Sequence, residues 1–480
     1  MRVGLAALAV GAFVAVSAAP AAAAGHDWTR FGFNAARSNS STAVAGIGAG
    51  DLKTLKRQDV AIPGTADSSP AYLHDVQIRD IRRDVFIVTT SYGRTLALSA
   101  GKGRILWTFT PASVAQLERS KQYTTSSPVA DPKRGFVYAA SPDGLIHKLR
   151  IADGTEVLSG SWPTVITRDP FHEKIGTALN LSHGYVIATT GGFAGDIPPY
   201  QGHVALIDRD TGALRHVFNA LCADRRELMD PSSCDWWGSA MWARSGAVVV
   251  PKSHRLLVAT GNGNWNGKTN WGDSVLELSP DATKLKDSWT PTNQGALDHF
   301  DFDLGSTAPA LLRSGSRWLA LQSGKDGLVR LLDVGDLNGH GHACACTGGE
   351  LQAFRAPGEK GVYSTPAAWR HSGKSWAFIG KNAATAAYRL EGNPPRLRLK
   401  WSHPRSGTSP VIAGDLLYVY DPSGGGVFVY QPTTGERVGV LPAASGHWSS
   451  PVVADGRVAI PVGNANLRQT TGTVTIYRKP

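Results

Sequence analysis

Leu96-Ala97-Leu98-Ser99-Ala100-Gly101-Lys102-Gly103-Arg104-Ile105-Leu106-Trp107 reads as a strand, a glycine-bearing turn and a second strand ending on tryptophan. Short apolar segments joined by Gly and Asp turns are the signal of antiparallel hairpins. An apolar stretch at 85–90 precedes this line, and a small polar pair with proline, Ser68-Ser69-Pro70, stands ahead of that stretch. The order then recurs. Related signatures lie at 126–128, 177–179, 238–241, 306–309, 364–366, 408–410 and 449–451. Eight copies at intervals of roughly 40 to 70 residues match the period of propeller blades.

Each copy leads into two more strands, as in 136–140 to 145–149, 186–190 to 204–207, 256–260 to 274–278 and 416–420 to 427–430. Tryptophan closes the fourth strand at Trp107, Trp289 and Trp401. Helical periodicity is nearly absent, and 113–123 is the one candidate for a short helix. The last repeat stops after its third strand at 473–477, whereas 52–62 looks like a fourth strand with no blade in front of it. Pairing the two closes the ring and removes two free sheet edges. The expected fold is therefore all-β, a single eight-bladed propeller whose N-terminal strand completes the last blade.

The beginning of the chain indicates a compartment. Arg2, an uncharged apolar run over 5–16 and a small-residue stretch over 17–24 have the layout of a cleaved signal peptide. The run is shorter than the ~20 residues that a membrane span needs. Residues 1–24 are thus expected to be removed and 25–480 to form the propeller, secreted or periplasmic, with no membrane span. Cys222, Cys234, Cys344 and Cys346 allow three pairings in an oxidising compartment, and Cys222 with Cys234 closes the simplest loop. The formal charge of +11 comes from scattered Lys and Arg without a basic run, which argues against a nucleic-acid partner. Such a charge suits solubility, or attraction to an acidic electron-transfer partner.

The line ending at Trp107 resembles the tryptophan-docking repeat of pyrroloquinoline quinone (PQQ) dehydrogenases. Trp28-Thr29-Arg30-Phe31-Gly32, with Arg37 and Ser40, is similar to the start of that quinoprotein family. The resemblance implies the propeller directly and a site only where individual residues match, because one fold hosts many functions. Gly261-Asn262-Gly263-Asn264-Trp265 resembles the family motif whose asparagine binds the active-site cation, which implies Asn262 as a ligand to calcium or a lanthanide. Trp242, in Trp237-Gly238-Ser239-Ala240-Met241-Trp242, matches the tryptophan beneath the quinone. In Leu297-Asp298-His299-Phe300-Asp301-Phe302-Asp303, Asp301 matches the general base and Asp303 the additional aspartate of lanthanide-using members. Were that segment an extended strand, both carboxylates would share a face.

Lys325, in Gly324-Lys325-Asp326-Gly327, occupies the place of the cation that polarises the quinone carbonyl. Arg134 matches an arginine that pairs with a cofactor carboxylate, Thr177 a cofactor contact, and Asp196 a glutamate metal ligand shortened by one carbon. Two family features are missing. The adjacent cysteine pair over the quinone is replaced by Pro128-Val129, and no Cys-x-x-Cys-His occurs, so no covalent haem is expected. His340, His342, Cys344 and Cys346 read as a surface loop rather than a metal site. The resemblance therefore implies a PQQ- and metal-dependent dehydrogenase that oxidises an alcohol or other hydroxylated compound by hydride transfer to the quinone. A separate acceptor such as a soluble cytochrome would take the electrons. The alternatives are a non-catalytic scaffold or binding module, and a degenerate member that holds a metal but no quinone.

Overall fold

A computed structural model describes residues 25–193, 195–341, 346–359 and 361–480. The expected leader over 1–24 lies outside the described residues, as does Cys344. Eight four-stranded antiparallel sheets follow one another along the chain, each a meander of neighbouring strands. The exception is the last sheet, whose outer strand is Lys56–Ile62. It pairs with Gly472–Arg478 from Lys56 opposite Arg478 to Ile62 opposite Gly472, the closure expected from the unmatched strands. Apolar clusters fill the spaces between neighbouring blades. Ile187, Leu206, Val258 and Leu276, for example, join the third blade to the fourth.

The repeat signature has a mechanical role at the ring's inner wall. Its hydroxyls bond from one blade to the next: Ser69 N donates to Ser127 Oγ at 2.8 Å, Ser450 N to Ser69 Oγ at 2.8 Å, and Thr365 N to Ser409 Oγ at 2.9 Å. Small side chains let the inner strands approach, and each hydroxyl satisfies a backbone group that is buried there. The recurrent tryptophans act further out. Trp107 Nε1 donates to Ile151 O of the next blade, and Trp401 Nε1 to Pro432 O, both at 2.8 Å. Gly154 and Gly435 lie against those indoles, where a Cβ would fall 2.6 Å from ring carbons.

Residues near the N-terminus tie the inner strands together at one end. Ala130 N donates to Thr29 O, Val249 N to Ala35 O, Ala368 N to Ser38 O and Ile412 N to Asn39 O. Arg37 is fully buried at this junction, and its guanidinium donates to the carbonyls of Phe31, Ala178 and Leu179 at 2.7–3.0 Å. The helix expected within 113–123 is the single turn Val114–Leu117. A second helix, Gln294–His299, was not foreseen, and it shapes the site.

Candidate functional site

Two adjoining cavities share Asp196 and Asp303. The first, of about 260 Å³, has Trp242, Tyr363, Trp448 and Tyr123 in its wall, with Lys174, Arg244, Lys325 and His447 as its basic groups. The second, of about 540 Å³, is lined by Asp196, Asp235, Asp298, Asp301, Asp303 and Asn262, with Tyr200, Trp236 and Trp237. One cavity is aromatic and cationic. Its neighbour is acidic.

Helix termination places Asp301. Phe302 N donates to Leu297 O at 2.9 Å across the end of Gln294–His299, and Asp301 takes φ 55°. This is the left-handed residue that follows many helices, a position usually given to glycine. The segment is therefore not an extended strand, the condition under which alternation would have put both carboxylates on one face. The two carboxylates are brought together by a helix-terminating turn, and Asp303 opens the short 3₁₀ segment Leu304–Ser306. Asp301 remains 73% exposed, whereas Asp303 is 11% exposed.

Lys325 joins them. Its Nζ lies 2.7 Å from Asp301 Oδ1, 2.5 Å from Asp303 Oδ2 and 5.6 Å from the Trp242 ring centre. Burial disfavours the ammonium, but the Asp303 and Asp301 carboxylates outweigh it and raise its pKa well above the usual lysine value. Burial likewise raises Asp303, against the lowering effect of Lys325 and of the Asn262 N–H.

Asn262 packs beside Asp303. Its backbone N–H donates to Asp303 Oδ1 at 2.8 Å, and its Nδ2 donates to Leu297 O at 2.7 Å. With the amide so oriented, Asn262 Oδ1 is buried and has no hydrogen-bond partner among the described residues. Gly261 makes this approach possible, since a Cβ there would lie 2.1 Å from Asp303 Oδ1. Sequence reasoning gave no role to Asp273. Its Oδ2 accepts from Asn262 Nδ2 at 3.3 Å and its Oδ1 from Leu304 N at 3.0 Å. Burial raises the pKa of Asp273 well above the ordinary carboxylate range.

Asp196 also lies in the shared wall and accepts from Tyr200 Oη at 3.0 Å. Desolvation raises its carboxyl, with Tyr200 and Lys325 acting in the opposite direction. Asn262, Asp301, Asp303, Lys325, Asp196 and Trp242 are thus brought together. Arg134 and Thr177 line neither cavity. Arg134 sits in a turn paired with Asp27 at 3.1 Å, so it is not the cation facing the aromatic wall. Thr177 Oγ1 bonds Thr189 Oγ1 at 2.8 Å within the third blade, while its neighbour Gly176 reaches the cavity.

The aromatic wall is larger than the sequence suggested. Tyr363 and Trp448 stack at 5.5 Å and 12°, and Trp242 lies 6.0 Å from Trp448 and 6.4 Å from Tyr363. Both additional rings immediately precede a repeat signature, at Ser364 and Ser449. Thr125 and Gly176 hold the same relative position and also line the cavity. The residue ahead of each small polar pair was therefore the available signal. Asp67 occupies that place in the first copy. It bonds Arg244 Nη2 at 3.0 Å and His447 Nδ1 at 2.7 Å. Burial opposes its charge, yet Arg244 and His447 lower its pKa to about 2.

Among the described residues, no three His, Cys, Asp or Glu side chains are already gathered to hold a metal. Cys222 and Cys234 form the simple disulfide, and no helix among the described residues is long and apolar enough to cross a membrane.

No protein-family model matches the chain. Quinohemoprotein alcohol dehydrogenase ADH IIB of Pseudomonas putida is 27% identical over an aligned length of 288 residues, in a match that covers 52% of this chain and 38% of that protein. The match thus reaches little more than a third of the relative's length. The quinohemoprotein alcohol dehydrogenase of Comamonas testosteroni shares the fold with a TM-score of 0.66 at 18% identity, over 94% of this chain and 80% of the other. A europium-containing methanol dehydrogenase does so with a TM-score of 0.67 at 15% identity, over 95% of this chain and 98% of the other. The chain is accordingly an eight-bladed propeller with the fold of quinoprotein dehydrogenase structures, and about half of it is similar in sequence to part of a quinohemoprotein alcohol dehydrogenase.

Proposed function

We propose that this protein is an exported PQQ-dependent dehydrogenase that oxidises an alcohol or other hydroxylated compound. The observation that carries this reading is the Asp301–Lys325–Asp303 ion cluster over the Trp242 ring, with the buried Asn262 Oδ1, unpartnered among the described residues, beside it. Asn262, Asp301, Asp303 and Asp196 would supply hard oxygen donors of the kind that calcium or a lanthanide takes. The wall of Trp242, Tyr363 and Trp448 suits a flat aromatic cofactor. When bound, such a quinone and ion supply a two-electron acceptor and a Lewis acid.

This chain's residues then divide the remaining work. Asp301 is exposed to the acidic cavity and takes the hydroxyl proton onto its carboxylate as general base. Lys325, its ammonium over the Trp242 ring, would supply the donor that negative charge developing on a cofactor bound there needs. Asp303 fixes Lys325, and Asn262 fixes Asp303. The electrons would then pass to an acceptor, for which a soluble cytochrome is suitable.

The second reading is a non-catalytic scaffold or binding module. It draws on Lys325, which fills the space between Asp301 and Asp303 where an ion would otherwise stand. Dye-coupled alcohol oxidation by the purified chain, supplied with PQQ and calcium or a lanthanide, separates the two. The enzyme reading requires activity that Asp301→Asn abolishes. Failure to bind PQQ saturably under every metal condition removes it.

A further inference from the structure

The aromatic cavity holds a cation to which the proposed mechanism gives no task. Lys174 follows the buried Glu173 in the two-residue strand Glu173–Lys174 and projects into the wall shared with Arg244, Trp242 and Trp448. The other three basic groups in this wall are already matched. Lys325 is held by Asp301 and Asp303, while Arg244 and His447 both bond Asp67. Lys174 makes no ion pair or hydrogen bond among the described residues, and the group it meets is the face of Tyr123, 4.2 Å from ring centre to Nζ. Gly176 keeps the space beside it clear, since a Cβ there would come within 3.2 Å of Lys174 Cε. Tyr123 is itself pinned by a hydrogen bond to Asn466.

A partly desolvated ammonium that meets a ring face at contact, with Asp67 and Asp196 acting on it only from beyond ion-pair distance, is costly to hold, and an incoming anion would relieve that cost. Desolvation, with Arg244 adding repulsion and Asp67 and Asp196 acting in the opposite direction, lowers its pKa to about 7. We propose that Lys174 is the carboxylate anchor of this cavity, pairing with an acid group on the edge of a flat anionic ligand that lies against Trp242 and Trp448. It thereby takes the part that the sequence assigned to Arg134, which is committed to Asp27. The inference rests on the quinone reading of the cavity and adds to it the residue that recognises the ligand's charge.

The test is equilibrium binding of PQQ, followed by quenching of tryptophan fluorescence in the presence of calcium, to the wild-type chain and to Lys174→Met and Lys174→Arg. Loss of one charge-assisted contact should weaken binding roughly 10- to 100-fold in Lys174→Met, while Lys174→Arg stays within a few fold of wild type. The ligand-free Lys174→Met protein should melt at a temperature equal to or above that of wild type, because a desolvated charge that lacks an ion pair has been removed. Equal PQQ affinity in wild type and Lys174→Met overturns this inference alone. A ligand-free Lys174→Met protein that melts well below wild type assigns Lys174 to the scaffold instead and also overturns it. If wild type shows no saturable binding, the quinone reading falls and the anchor falls with it.

Discussion

Lys325 Nζ stands 2.5 Å from Asp303 Oδ2 and 2.7 Å from Asp301 Oδ1, so a single ammonium spans two carboxylates of very different exposure. Asp303 is largely removed from solvent and depends on this contact for its charge. Lys325→Met should therefore destabilise the protein by about 3 kcal/mol, the scale for stranding one member of a buried pair. Denaturant unfolding measures this. Added calcium or lanthanide ion should recover part of the loss, because an ion can satisfy the same oxygens.

Asp301 occupies a left-handed position, so its backbone and its side chain make opposite demands. Asp301→Gly should leave the melting temperature unchanged or slightly higher, whereas Asp301→Ala should lose roughly 1 kcal/mol from the left-handed penalty. Both remove the carboxylate. Alcohol oxidation should fall by about 10²–10⁴ in either variant, the usual contribution of a general base. Calorimetry alongside the dye-coupled assay separates the two effects.

Gly261 is required by the closeness of Asp303. A methyl group 2.1 Å from Asp303 Oδ1 cannot be accommodated without moving the carboxylate or the turn that bears Asn262. Gly261→Ala should keep the far-ultraviolet spectrum of a β protein yet bind calcium or lanthanide at least tenfold more weakly, as read by titration calorimetry.

Glu173 introduces a pH dependence of stability. Burial pushes its pKa from 4.5 up to about 8, against hydrogen bonds from Thr167 and Gln201. The folded chain therefore holds this proton at pH values where the unfolded chain has released it. Stability from this group is complete below about 4.5 and is lost as the pH rises to about 8. Glu173→Gln keeps an uncharged side chain and should flatten that decline, seen as urea midpoints that change less between pH 5 and pH 8.

The ring was legible because its physics repeats. Eight small polar pairs, the docking tryptophans and two unmatched strands each left a pattern that could be counted along the chain. The site was legible only where residue types were distinctive, as at Asn262, Asp301, Asp303 and Lys325. Asp301 and Asp303 met for a reason that the sequence did not disclose, because a six-residue helix over Gln294–His299 is too short to show periodicity. Arg134 was misplaced since a Lys-Arg-Gly turn reads alike at the ring's centre and at its rim. Tyr363, Trp448 and Lys174 went unnoticed because their meaning lies in which blades face one another across the cavity, and that is settled only by the closed ring.

The pairing of Lys56–Ile62 with Gly472–Arg478 joins segments more than 400 residues apart. The entropy of so distant an encounter grows only as the logarithm of the intervening length. Timing is the harder constraint, since every blade between the partners must exist before the clasp can shut. Until then the eighth sheet lacks its outer strand and Lys56–Ile62 has nothing to pair with, so nascent or partly opened chains carry sticky edges that can capture one another. Resistance of the finished ring to aggregation is thus held by seven backbone pairings at a single seam, and a mutation that frays that seam would shorten the protein's working life before it altered any catalytic group.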